Sequence, residues 1–195
     1  MSDDPERNEF YRWIGHCITA WADLEDRLFE ILWRVLSCPQ VRAAIVYYKT
    51  PSLEARLTLT DELVRSTLPK TKSGDQPHAD LKAWNSIRVD IGNELSVRRR
   101  IAHQPVRTGK VTIPISDKEG FPSDLLEFSY YEIYVSENEA LRGKPADPDT
   151  LTIHEIMNHE ETVKSLAARL RAFNIDVLAT RIPQLVLPSP HKRRG

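Results

Sequence analysis

Apolar side chains recur along this chain mostly at steps of three and four, and only briefly at steps of two. Phe10, Ile14, Ile18, Trp21, Leu24, Leu28, Ile31 and Val35 follow the first spacing. That spacing puts them on one stripe of a helix predicted from Pro5 to Ser37. Glu25, Asp26, Arg27 and Arg34 lie between them as a solvated flank. Phe29, Leu32, Trp33 and Leu36 widen the apolar surface toward the C-terminal end, which predicts burial on more than one side or pairing with another subunit.

Pro39 opens a second, shorter helix, because the first helical turn has no use for the missing N–H. Val41, Ala44, Ile45 and Tyr48 are its expected buried face. Thr50-Pro51 repeats the signal, a capping hydroxyl followed by proline at the first helical position. The third helix carries Leu53, Leu57, Leu59, Leu63 and Val64. The polar stretch from Lys70 to His78, with Gly74 and Pro77, is a predicted loop. A fourth helix is predicted from Ala79 to Ala102, with Leu81, Trp84, Ile87, Ile91 and Leu95 as its stripe. Gly92 sits inside it at a cost of about 1 kcal/mol relative to alanine. Two uses fit it equally, a close helix crossing or a tolerated defect.

After His103 the period changes. Gln104-Pro105 ends the helix, since a residue before proline is pushed out of the α region. Val111, Ile113 and Ile115 alternate with polar or small residues, and Pro114 confines such a strand to an edge. Phe128 to Val135 is aromatic and β-branched and predicts a second strand. A hairpin over about residues 108–136 is therefore expected between the fourth helix and the last long one. Thr152-Ile153-His154-Glu155 has the form of a capping box. It opens a last helix with Ile156, Val163, Leu166, Leu170, Phe173 and Val177 on its core face. Residues 183–195 hold Pro183, Pro188 and Pro190 before His191-Lys192-Arg193-Arg194-Gly195 and read as a mobile basic tail. The expected architecture is mainly α, a single domain over residues 1–182.

Composition narrows the function. The chain has 195 residues, 41% of them hydrophobic, enough for a packed core. Its 27 basic and 28 acidic residues give a formal charge of −1, so any polyanion binding must rest on a local patch. Two cysteines, Cys17 and Cys38, are too few for a disulfide framework and predict reduced thiols in a cytoplasmic protein. The acidic start Met1-Ser2-Asp3-Asp4 is unlike a secretory leader, and no segment has the ~20 apolar residues that span a bilayer.

Most candidate chemistry falls away on spacing. His154 and His159 are five apart rather than four, so they do not share a helix face as zinc ligands do. They are expected on a solvated face, and no metal site is predicted. Seven glycines with no phosphate-loop or dinucleotide spacing argue against a nucleotide cofactor. Gly-x-Ser-x-Gly is absent. The adjacent carboxylates Asp3-Asp4, Glu25-Asp26 and Glu160-Glu161 point different ways on a helix and are expected as surface charge.

The remaining segment is Ser96-Val97-Arg98-Arg99-Arg100-Ile101-Ala102-His103. Basic residues at a helix C-terminus complement its negative end, about 0.3–1 kcal/mol each when exposed, and that explains them without any function. The segment also resembles the signature of HEPN-domain proteins (higher eukaryotes and prokaryotes nucleotide-binding). In that signature an arginine, often followed by a polar residue, precedes a histidine with four to six residues between them. Arg98 and His103 fit with four between them, and Ile101-Ala102 matches the apolar-small pair. Arg99 departs from the asparagine often found there and adds positive charge. The placement at the end of a late helix, before a short β excursion and a last long helix, also matches. Trp21-Ala22-Asp23-Leu24-Glu25 resembles part of the family's opening helix.

The resemblance implies a HEPN-like helical bundle with a small hairpin inserted before the last long helix. It implies a metal-independent endoribonuclease of toxin or phage-defence type, a homodimer with two motifs across a cleft, and an antitoxin-type protein partner. His103 is then the general acid or base and Arg98 the group that grips phosphate. Arg99, Arg100, Arg107 and Lys110 are expected to hold the RNA backbone. Five steps along one helix do not align Arg98 with His103, so a second subunit or a local end to the helix must complete the site. A non-catalytic RNA- or nucleotide-binding module and a purely structural dimerisation module remain the alternatives.

Overall fold

The computed structural model describes residues 5–68, 79–103, 106–116, 122–133 and 151–182, with the backbone alone for 107–116 and 122–133. The expected loop at 70–78 and the tail at 183–195 lie outside the described residues. The protein is mainly helical. The helices are α1 (Pro5–Leu36), α2 (Gln40–Lys49), α3 (Leu53–Thr67), α4 (Ala79–His103) and α5 (Ile153–Ala172). A π-helical stretch, Phe173–Leu178, and a last turn, Ala179–Arg181, continue α5. Between α4 and α5, β1 (Val106–Ser116) and β2 (Pro122–Ile133) run antiparallel, in register from Val106↔Ile133 to Ser116↔Pro122. The chain forms two compact units, Met1–Thr19 with Ser96–Glu161 and Ala20–Leu95 with Thr162–Gly195.

The second of these holds the larger core, built on Trp21, Leu24, Leu28, Ile31, Leu32, Tyr47, Val64, Trp84, Ile91 and Leu170. α1 ends where Ser37 takes a left-handed φ of 46° and its hydroxyl donates to the Arg34 carbonyl. Trp33 Nε1 then donates to the Cys38 carbonyl at 2.9 Å, which fixes the path into α2. Pro39 is the residue before the helix, not in its first turn.

α2 does not bury the face its sequence suggests. Ala43 and Tyr47 are fully buried, while Val41, Ile45 and Tyr48 are 72%, 58% and 55% exposed. The helix is apolar on nearly every side, so the period alone does not choose a face. Polar anchoring does. The Tyr47 hydroxyl donates to the Glu25 carbonyl at 3.0 Å. Arg56 lies over the rings of both Tyr47 and Tyr48 and pairs with Glu25 at 2.8 Å. Burial, then the negative charge of Glu25, pushes the Tyr47 phenol well above its ordinary pKa.

The cap of α3 is Ser52, whose hydroxyl accepts from Ala55 N, and not Thr50. Thr50 instead closes α2, its hydroxyl donating to the Val46 carbonyl. The α4 stripe matches its expectation, with Trp84, Ile87 and Ile91 buried and Leu81 and Leu95 packed at the edge. Gly92 is no close crossing. A Cβ there would meet nothing within 4 Å among its neighbours. Gly92→Ala is therefore expected to raise stability by about 0.5–1 kcal/mol, read as a higher urea midpoint at unchanged slope. An unchanged or lower midpoint would show that something approaches this position. On the last helix Leu178, not Val177, takes the deepest place after Phe173. The wider π turn brings residues five apart toward one side and also buries Asn174, which accepts from Arg34 Nε.

The other unit has a smaller core of Phe10, Cys17, Ile101, Leu151 and Ile156, with Trp13, Ile14, Val97, Val106 and Ile153 against it. Here Cys17 is buried and Ile18 is 54% exposed. Counting turns of 3.6 from Phe10 lands on 17, so the more hydrophobic neighbour is on the wrong side. The Cys17 thiol donates to the Ile156 carbonyl at 3.2 Å. The capping box forms as expected, Thr152 N donating to Glu155 Oε2 at 2.7 Å and Glu155 N to the Thr152 hydroxyl at 3.4 Å.

Candidate functional site at the end of helix α4

The rotation of α4 about its axis decides what its last turns present. Val97 and Ile101, four apart, pack on the smaller core. Arg99, Ala102 and His103 are consequently exposed, and Arg98 and Arg100 are half-buried on the flanks. α4 remains helical through His103, so no local end to the helix swings Arg98 toward the imidazole. Five residues at 3.6 per turn leave Arg98 and His103 about 140° apart around the axis. Arg99, four residues before His103, is only about 40° away, and Arg100 about 60°. Within one chain the exposed pair is thus Arg99 and His103, and Arg98 belongs to a neighbouring side.

Arg100 is the least comfortable of the three. Its Nε and Nη2 are closed off from solvent and have no hydrogen-bond partner. These two atoms form one edge of the guanidinium fork, and with no open space beside them they are not poised for an external phosphate. The expected RNA-backbone role does not suit Arg100 in this conformation. Arg107 and Lys110 lie on β1, opposite Glu132 and Ser129 in the register, and their side chains lie outside the described residues.

Two further groups of this unit were not expected in the interior. His159 is 5% exposed and Glu160 1% exposed, which corrects the solvated-face reading of both. The signal was present in the period. Ile156, Glu160 and Val163 fall at steps of four and three, so Glu160 occupies a core position of α5 despite its charge. His154 and Glu161 are exposed as expected. Among the described residues no three His, Cys, Asp or Glu side chains converge as a metal site would need. No described helix is long and apolar enough to cross a membrane.

Comparison with protein-family models, with curated proteins and with solved structures gave no match. The HEPN resemblance therefore stands on the motif and on the order of helices alone.

The other unit carries two features that the sequence did not suggest. Asp61 is buried and accepts from Trp84 Nε1 and Arg65 Nε, both at 2.8 Å, while Arg88 Nε lies 3.0 Å from its other oxygen. This carboxylate is a structural hub. A shallow groove of about 440 Å³ is lined by Ala167, Ala168 and Ala172 together with the charged Arg27, Lys164, Arg171, Asp23 and Asp176. Its mixed charge selects no ligand class.

Proposed function

We propose that this protein is a HEPN-type endoribonuclease that cleaves RNA without a metal ion and acts in the cytoplasm as a homodimer. In this reading β1 and β2 are a hairpin inserted before the last long helix of a HEPN-like bundle. The observation that carries the proposal is the exposed face of α4 with His103 and Arg99 together. A titratable imidazole beside a permanent cation, on a helix fixed by Val97 and Ile101, is what phosphodiester transesterification asks for. The 2′-oxygen loses its proton to a base and attacks phosphorus. The bond to the 5′-oxygen breaks, and that oxygen is protonated by an acid. The products are a 2′,3′-cyclic phosphate and a 5′-hydroxyl.

His103 serves as the acid or base, since an imidazole has one nitrogen that can take up a proton and one that can give it away. Arg98 and Arg99 stabilise charge on the phosphorane oxygens with their planar forks. The toxin or phage-defence setting and an antitoxin-type partner belong to the same proposal. The test is incubation of the purified chain with a mixed-sequence RNA in excess EDTA. Cleavage that leaves cyclic-phosphate ends supports the proposal. Salt-sensitive RNA binding with no cleavage would instead favour a non-catalytic binding module, a reading helped by the separation of Arg98 from His103 on one helix.

A further inference from the structure

Four of the eight large apolar side chains that stand most exposed among the described residues belong to the ten residues of α2: Val41, Ile45, Val46 and Tyr48. Val41, Ile45 and Tyr48 follow at steps of four and three, one continuous stripe along the outer face. Val46 lies beside it, flanked by exposed Arg42 and Lys49. The helix has no carboxylate. We propose that the outer face of α2 is a docking surface for an acidic amphipathic helix of another protein.

The face is built to be used as it stands. Its inner side is tied down by the Tyr47 hydroxyl on the Glu25 carbonyl and by Arg56 over the Tyr47 ring, and Arg56 also lies over the ring of Tyr48 at the end of the stripe. Little ordering is left for a partner to drive, which is the condition for affinity from a small patch. The stripe spacing of i, i+4 and i+7 is the one by which a partner helix lays an apolar face alongside. The charges choose the partner. Two cations border the stripe and no anion answers them on α2, so carboxylates flanking the partner's apolar residues complete the contact. Pairing with α2 of a second copy would gather four cations with no carboxylate from either helix. The inference does not rest on the nuclease reading, since none of these residues lies on α4.

The probe is a synthetic helical peptide with leucines along one face and glutamates elsewhere, compared with the same peptide carrying lysines. Fluorescence anisotropy with the full chain is expected to show the glutamate peptide binding about ten-fold tighter or better, and weakening as salt is added. Ile45→Asp, an exposed substitution, removes that binding while the melting temperature stays put. Arg42→Glu with Lys49→Glu reverses the preference to the lysine peptide. Equal affinity for both peptides, or binding indifferent to Ile45→Asp, overturns the proposal. So does concentration-dependent dimerisation abolished by Ile45→Asp, which would assign the face to a second copy. Binding to phosphatidylserine vesicles that Ile45→Asp abolishes, without any peptide preference, overturns it in favour of a membrane surface.

Discussion

Asp61→Ala is expected to lower stability by about 2–4 kcal/mol, one of the largest losses from any single polar side chain here. The carboxylate is 11% exposed and receives the indole N–H of Trp84, which is itself fully buried. Alanine leaves that N–H with neither acceptor nor water, and an orphaned buried donor costs about 1–3 kcal/mol. A void where the carboxylate stood adds to this. The two arginines contribute less. Arg65 and Arg88 are 41% and 39% exposed, so each can return to water when its partner goes.

Asp61→Asn separates these effects. Its amide oxygen can still accept from Trp84, while the amide nitrogen then faces Arg88 donor to donor. The loss should be about half that of alanine. Urea unfolding of the three proteins, followed by tryptophan fluorescence, makes the comparison. A loss under about 0.5 kcal/mol for Asp61→Ala would show that the Trp84 N–H finds another acceptor and that Asp61 is dispensable.

Asp61 also marks a limit of what was legible in the sequence. Local signals came through well. The capping box at Thr152 formed, α4 buried Trp84, Ile87 and Ile91, and the ends of the long helices lie within a residue or two of expectation. Each of these depends on residues within one or two turns of each other. The misses share a different cause. Cys17 displaced Ile18 because helix phase outranks side-chain hydrophobicity when both neighbours are apolar. On α2, where almost every position is apolar, the face was chosen by Tyr47 reaching Glu25, 22 residues away. Asp61 is satisfied by Trp84 and Arg88 from another helix, and a charged residue at a core phase gives no sign of such partners in advance. Glu160 likewise holds a core phase of α5 despite its charge.

The candidate site was legible as a motif but not as a geometry. The spacing from Arg98 to His103 can be read from the sequence, and so can their separation around an ideal helix. Gln104-Pro105 marks where the helix stops to within a residue, but not which sides of its last turns are covered by the core. Since the helix runs on to His103, Arg98 and His103 leave one copy of α4 about 140° apart around its axis, which favours a site that takes one of them from each of two copies.

The nuclease proposal therefore carries a sharp consequence. Arg98→Ala and His103→Ala should each lose RNA cleavage by about 10²-fold or more, since general acid–base catalysis and a phosphate-gripping cation contribute at that scale. If each site takes Arg98 from one subunit and His103 from the other, the two dead proteins rescue each other when mixed. Random exchange makes half the dimers mixed. Each mixed dimer unites the intact Arg98 of one copy with the intact His103 of its partner at one of its two sites. Recovery should approach about a quarter of wild-type activity at equal total protein. A double variant carrying both substitutions on one chain, mixed with itself, recovers nothing. Rescue absent after verified subunit exchange, with wild type active, would place both groups of a site in one copy. Arg99→Ala then becomes informative. The loss of cleavage with Arg98→Ala unaffected would transfer the phosphate-gripping role to the arginine that shares the exposed face with His103.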